Sequence, residues 1–220
     1  MSSYAFQSTD AEDMDEERPF KVRGENEWKN WFLMIEGGPS VFQGDHNEDA
    51  KFGDRIYPAF DLSVGKWILP ALGLRFGTTL DMVHTYFHHG MTPTDAHNAK
   101  LYVERPWLYR MRYNSWNFHG DIMFNVSSLI WKRHDRVWNL IPYVGVGGIA
   151  TWHGPWDAHS WSLNGGILNT FRVCEQLDVN LDIHAMDFHD RVNTVIQGHH
   201  HDGIVNVMVG LTWHISKRGF

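Results

Sequence analysis

With one cysteine in 220 residues, the chain can carry neither an intrachain disulfide framework nor a Cys-rich zinc site, and its length suits a single large domain. A formal net charge of −7 argues against nucleic acid as a partner, because phosphate binding needs a basic face. No apolar run reaches the roughly 18 residues of a transmembrane helix, but barrel strands alternate and escape that test.

Residues 1 to 24 predict a disordered acidic segment: six acids stand against Arg18 alone within the first twenty positions. It has neither the basic start nor the apolar stretch of a signal peptide. Residues 25 to 220 predict one barrel domain. Strand one, Trp28 to Gly44, sets Trp31, Leu33, Ile35 and Val41 against Glu36, Gly38 and Ser40. After a polar loop, strand two, Ile56 to Ile68, sets Phe60, Leu62 and Val64 against Asp61, Ser63 and Gly65. The tripeptide Leu69-Pro70-Ala71 makes a tight turn into strand three, where Leu74, Phe76, Leu80 and Met82 alternate with Arg75, Gly77, Thr79 and Asp81.

From His84 to Arg112 the pattern fails, and Pro93 and Pro106 interrupt it, which predicts a long loop with strand extensions. Strand four, Trp116 to Trp131, has the strongest alternation. Trp116, Phe118, Ile122, Phe124 and Val126 share one face, and Asn117, His119, Asp121, Met123 and Asn125 the other. At about 3.3 Å per residue and about 40° of tilt it rises about 38 Å, enough for a bilayer core and its interfaces. Leu129 and Trp131 fall on the wrong parity, so a bend or stop is expected near Ser128.

A basic turn leads to strand five, Val137 to Trp152, where Val144 and Val146 oppose Tyr143, Gly145 and Gly147. Strand six, His159 to Val173, turns at Cys174-Glu175-Gln176 into strand seven. There Leu177, Val179, Leu181 and Ile183 oppose Asp178, Asn180, Asp182 and His184. A polar loop around His189 to Asp202 precedes strand eight, with Val205, Val207, Val209 and Leu211 against Asn206, Gly210 and Thr212. Eight strands joined alternately by long loops and short turns predict an all-β, antiparallel up-and-down barrel with both termini at one end.

A soluble barrel would turn the apolar set inward, and a membrane barrel turns it outward. The eleven tryptophans favour the membrane. Trp28, Trp31, Trp67, Trp131, Trp138 and Trp213 fall at the short-turn end, and Trp107, Trp116, Trp152, Trp156 and Trp161 at the long-loop end, as two interfacial belts. The expected lipid- or partner-facing residues are Leu33, Phe60, Leu62, Leu74, Phe76, Phe118, Ile122, Phe124, Val144, Leu181 and Val207. The expected lumen charge network is Glu36, Asp61, Arg75, Asp81, Asp121, Arg172 and Asp182, a set of both signs that can pair.

The stretches NWFLMIEGGPSVFQGD, WILPALGLRFG, IPYVGVGGIATW and VNVMVGLTWHIS, spread from about Trp28 to Ile215, resemble the eight-stranded membrane domain of the outer-membrane protein A (OmpA)-like family, particularly its Bacteroidetes versions. The resemblance implies the outer membrane of a Gram-negative bacterium, with periplasmic termini and extracellular long loops. It also implies a periplasmic peptidoglycan-binding domain after the barrel; the 220 residues end at Phe220, so either that domain lies beyond them or the barrel stands alone.

Histidine is the compositional anomaly. Eleven of fifteen lie in or beside the long loops: His46, His84, His88, His89, His97, His153, His159, His189, His199, His200 and His201. His88, His89, His199, His200 and His201 are the candidates for a metal or haem site, against the reading that they hydrogen-bond in loops, since the spacing lacks HExxH or paired-Cys logic. A hydrolase could draw on Ser160, Asp187, His189 and Asp190 at the same end. The expectation is otherwise a non-enzymatic protein without cofactor, in a structural role or as an accessory subunit of a larger complex such as barrel-assembly or transport machinery. Its partners would be outer-membrane lipids and other outer-membrane proteins, with a periplasmic contact available to the N-terminal segment.

Overall fold

A computed structural model describes residues 29–43, 51–88, 100–101, 107–130, 136–152, 159–189 and 201–215. The acidic segment 1 to 24 lies outside them. The strands are β1 (Trp31–Gln43), β2 (Ile56–Leu69), β3 (Leu72–His88), β4 (Lys100–Leu101), β5 (Leu108–Phe124), β6 (Trp138–Trp152), β7 (His159–Arg172), β8 (Leu177–His189) and β9 (His201–His214). Sheet order runs β3-β2-β1-β9-β8-β7-β6-β5, every pair is antiparallel, and β3 pairs with β5 to close the ring. Eight staves therefore form a closed barrel. The two residues of β4 pair with Arg110 and Tyr109, extending the sheet beside β5 beyond the last β6 pair, Asn114 with Trp152.

Alternation sets which face each residue takes. All eleven residues expected on the outer face are exposed, from Leu74 and Leu181 at 37% to Phe76 at 64%. The opposite parity is buried. An apolar layer of Phe42, Val83, Tyr113, Ile149, Met186, Phe188 and Ile204 fills the lumen toward the long-loop end. A second, of Phe32, Met34, Met123, Ile141, Tyr143 and Leu168, fills it toward the short turns. Polar side chains occupy the space between.

One sequence expectation is made definite and two are corrected. The strand extensions expected in the region from His84 to Arg112 are present: β3 continues to His88 and β5 starts at Leu108, paired without a break from Leu72↔Phe124 to His88↔Leu108. Alternation was the only signal available, and it need not persist where a hairpin rises past the bilayer into water. Strand four ends at Phe124, before the expected bend, because Val126–Ile130 forms a helix, α1. Asn125 starts it: its Oδ1 accepts from Ser128 N at 2.9 Å, as an N-cap does. Trp67 leaves the outer belt. Its inward parity carries it against Phe32, ring centroids 6.1 Å apart. Trp138, Trp161 and Trp213 remain exposed near the strand ends, with Trp161 the most exposed at 84%, and Trp116 is exposed at the middle of β5, level with the end of β6.

Candidate functional site

The centre of the lumen is built from inward positions on six staves. Arg75 on β3 is 1% exposed. Its Nε donates to Asp121 Oδ2 of β5 at 2.7 Å, and its Nη1 reaches Asp182 Oδ2 of β8 at 3.3 Å. The guanidinium lies over the Tyr143 ring of β6, 4.1 Å from Cζ to centroid, and Tyr143 Oη donates to Asp182 at 2.9 Å. One cation thus ties four strands together through charge-assisted bonds and a ring face.

His119 extends the cluster. Its Nδ1 is 2.9 Å from Asp121 Oδ2 and its Nε2 is 3.1 Å from Asp61 Oδ2, an arrangement that fits an imidazolium with two donors. Asp61 also accepts from Thr79 Oγ1 at 2.8 Å and from Ser63 Oγ. Beside this cluster, Asn117, Ser162 and Asn164 bond to one another across β5 and β7 at 2.7 to 3.1 Å. Glycine makes room. A Cβ on Gly145 would fall on the Asp121 carboxylate, and one on Gly77 on Ser63 Oγ and the His119 ring.

Asp61, Arg75, Asp121 and Asp182 are brought together. Glu36 and Asp81, both 2% exposed, line the same lumen outside the charged cluster, Glu36 beside Asn180 and Asp81 beside Ser40 and Asn206. Arg172 is corrected: it has inward parity but is the last residue of β7, opposite Asp178, and so stands at the short-turn mouth away from Arg75. Reading only formal charges missed Tyr143, His119 and His184, which are also buried inside; their inward parity on β6, β5 and β8 was the available signal.

At that mouth lies an open cavity. Arg136, Arg172, Asp178 and His214 line its rim, and Phe32, Met34, Met123, Ile141 and Leu168 its floor. Arg136 donates to Ser128 Oγ at 2.9 Å, and His214 Nε2 meets Asp178 Oδ2 at 3.1 Å. Burial and the neighbouring Arg172 cation pull Arg136 down from the usual guanidinium range.

The histidine candidates lie elsewhere. His89, His199 and His200 fall outside the described residues, as do the side chains of His88 and His201. Among the described residues no group of three or more His, Cys, Asp or Glu could hold a metal ion. Of the hydrolase candidates, Ser160 Oγ donates to the Trp161 carbonyl at 3.2 Å, and Asp190 lies outside the described residues.

No family model matches the chain. Over 161 residues, 71% of this chain, it is 26% identical to Outer membrane protein 41 of Porphyromonas gingivalis (strain ATCC BAA-308 / W83). The aligned part is 37% of that relative's length. Among solved structures, the outer membrane protein OprG from Pseudomonas aeruginosa is similar at a TM-score of 0.51 and 9% identity, over 84% of this chain and 96% of that one. Neisserial surface protein A gives 0.48 and 12%, over 85% and 98%. The outward apolar face, the closed ring of eight staves and the outer-membrane relative converge: the chain is an outer-membrane β-barrel protein.

Proposed function

We propose that this chain is an OmpA-like barrel of the Gram-negative outer membrane whose work is structural or interactive rather than conductive. It supports envelope integrity or serves as an accessory subunit of a larger outer-membrane complex, with the long loops outward and both termini in the periplasm. The observation that carries the reading is the filled lumen. Arg75 and its partners occupy the centre at 0 to 5% exposure, between two apolar layers. A barrel of eight strands is just wide enough for side chains to fill, and these do so with paired charges that rigidify the wall. With the interior occupied by packing, the wall and the two ends are the surfaces left for function. The Asn30 and His214 ends of the barrel both sit at the short-turn mouth, which suits a periplasmic attachment.

Affinity capture of the tagged barrel from membranes in mild detergent tests the reading. Reproducible recovery of another outer-membrane protein, or loss of envelope integrity when the chain is deleted, is expected. Recovery of the barrel alone, together with an intact envelope in the deletion strain, would reject it.

A further inference from the structure

Toward the long-loop end, the outer face of the hairpin of β3 and β5 changes character over a few register steps. Above exposed Phe76 and Phe118 its outward pairs run Leu80↔Trp116, Met82↔Asn114, His84↔Arg112 and Tyr86↔Arg110. Apolar side chains give way to an indole and then to two arginines, the order in which a lipid presents its tail, interface and headgroup. Arg110 and Arg112 hold alternate positions of one strand, so their Cα atoms are about 7 Å apart. Both stand beyond the last β6 pair, Asn114↔Trp152.

Arg112 is exposed and Arg110 half-buried. Among the described residues no ion pair joins either to an acid. The side-chain hydrogen bond of Arg112 goes to Met82 Sδ at 3.4 Å, a weak acceptor. That contact turns the guanidinium back toward the bilayer. Arg112 is four residues from Trp116, a separation of about 13 Å along the strand and about 10 Å in height at the usual tilt. Leaning to Met82 lowers its charge toward the headgroup layer, which is about 5–8 Å thick on each side of the hydrocarbon. Burial first, then Arg110 and Arg112, push the His84 imidazole down to about 4, so both cations stand near it and it adds no third charge. Tyr57 packs its ring on His84 at 4.2 Å, and Tyr86 donates to the Asp54 carbonyl at 2.9 Å. The β3 side of the row is thus covered, and the β5 side, with Arg112, is open.

We propose that Arg110 and Arg112 bind the phosphate of an anionic lipid in the leaflet at the long-loop end, with its acyl chains running down past Trp116 over Leu80, Phe118 and Phe76. Guanidinium groups bind phosphate through parallel N–H bonds, and one anion between two of them relieves their mutual repulsion. A soluble anion would use the arginines alone, whereas a lipid also covers the exposed apolar column directly beneath them. A zwitterionic headgroup is the poorer fit, because its own ammonium offsets its phosphate. The site needs the barrel in a bilayer, but neither the orientation nor the partner complex proposed above.

Met82 touches Arg112 and reports on the site, and Met208, buried in the lumen, reports on the fold. With the full chain methyl-labelled at methionine in phosphatidylcholine nanodiscs, added phosphatidic acid is expected to shift Met82 saturably, as one site fills, while Met208 stays still. Arg110→Gln leaves the contact between Arg112 and Met82 in place and should weaken binding about tenfold or more. Arg112→Gln should do the same and serves if the first variant folds poorly. Lys66→Gln, which removes a cation stacked on Trp31 at the short-turn end, should bind as the parent does. The proposal is overturned if the Met82 shift grows in proportion to phosphatidic acid without saturating, if inorganic phosphate alone saturates it, or if Lys66→Gln weakens it as much as Arg110→Gln. It is equally overturned if an arginine variant with a native Met208 signal binds as well as the parent, or if both variants lose that signal, which would assign the arginines to the fold instead.

Discussion

The Arg75 guanidinium lies 4.1 Å above the Tyr143 ring, while the Tyr143 hydroxyl bonds to Asp182, the same carboxylate that Arg75 reaches at 3.3 Å. Residues from β3, β6 and β8 therefore close a triangle across the barrel. Replacing Arg75 by Ala leaves Asp121 and Asp182 buried without their cation. A loss of about 3–5 kcal/mol is expected, read as the urea midpoint of the heat-modifiable folded band in detergent. An unchanged midpoint would show that the triangle contributes nothing.

Glu36 predicts the opposite. Its carboxylate is buried beside Asn180 with no ion-pair partner among the described residues, so the charge is a cost to the fold. Glu36→Gln should leave stability unchanged or raise it in the same assay. A clear loss would mean that the Glu36 carboxylate is held by Asn180 strongly enough to offset its burial.

Two glycines of β6 separate close approach from mere turn chemistry. Gly145 faces inward against the Asp121 carboxylate, whereas a Cβ on Gly148 would meet only Ser160 O at 3.9 Å. Gly145→Ala should cost about 1–3 kcal/mol through overpacking, and Gly148→Ala should be near neutral. Equal effects would contradict the register of β6 against β5.

The outer face can be tested at its middle. Phe76 is 64% exposed and pairs with Gly120, midway between the turn end of the hairpin at Leu72↔Phe124 and the belt residue Trp116 opposite Leu80. Phe76→Arg should cost about 2–4 kcal/mol in lipid, the penalty for a cation at the bilayer midplane. A neutral result in a lipid-based unfolding assay would argue that this face meets water.

Parity made most of the architecture legible. Asp121, Met123, Phe118 and Phe124 each take the face that alternation predicts, because a shift of one residue would move a whole strand to the wrong solvent. What parity could not give is depth. Arg172 has the right parity but sits at a strand end, and only the stagger between strands separates it from Arg75. Nor could counting charges find Tyr143, whose role comes from a ring face and a hydroxyl at one position. The α1 helix was within reach, since Asn125 precedes the run Val126-Ser127-Ser128-Leu129-Ile130 and the parity slip at Leu129 marks where the strand had already ended. The bounds of the β3 and β5 extensions were not, because strand above the membrane carries no obligatory alternation.

The central claim is that packed, paired charges seal the lumen, and single-channel recording on the refolded barrel in planar bilayers tests it most directly. The parent should insert, as judged by heat-modifiable protein in the same vesicles, and show no discrete conductance steps, whereas Arg75→Ala should leak. Stable ion steps from the parent barrel would contradict the account.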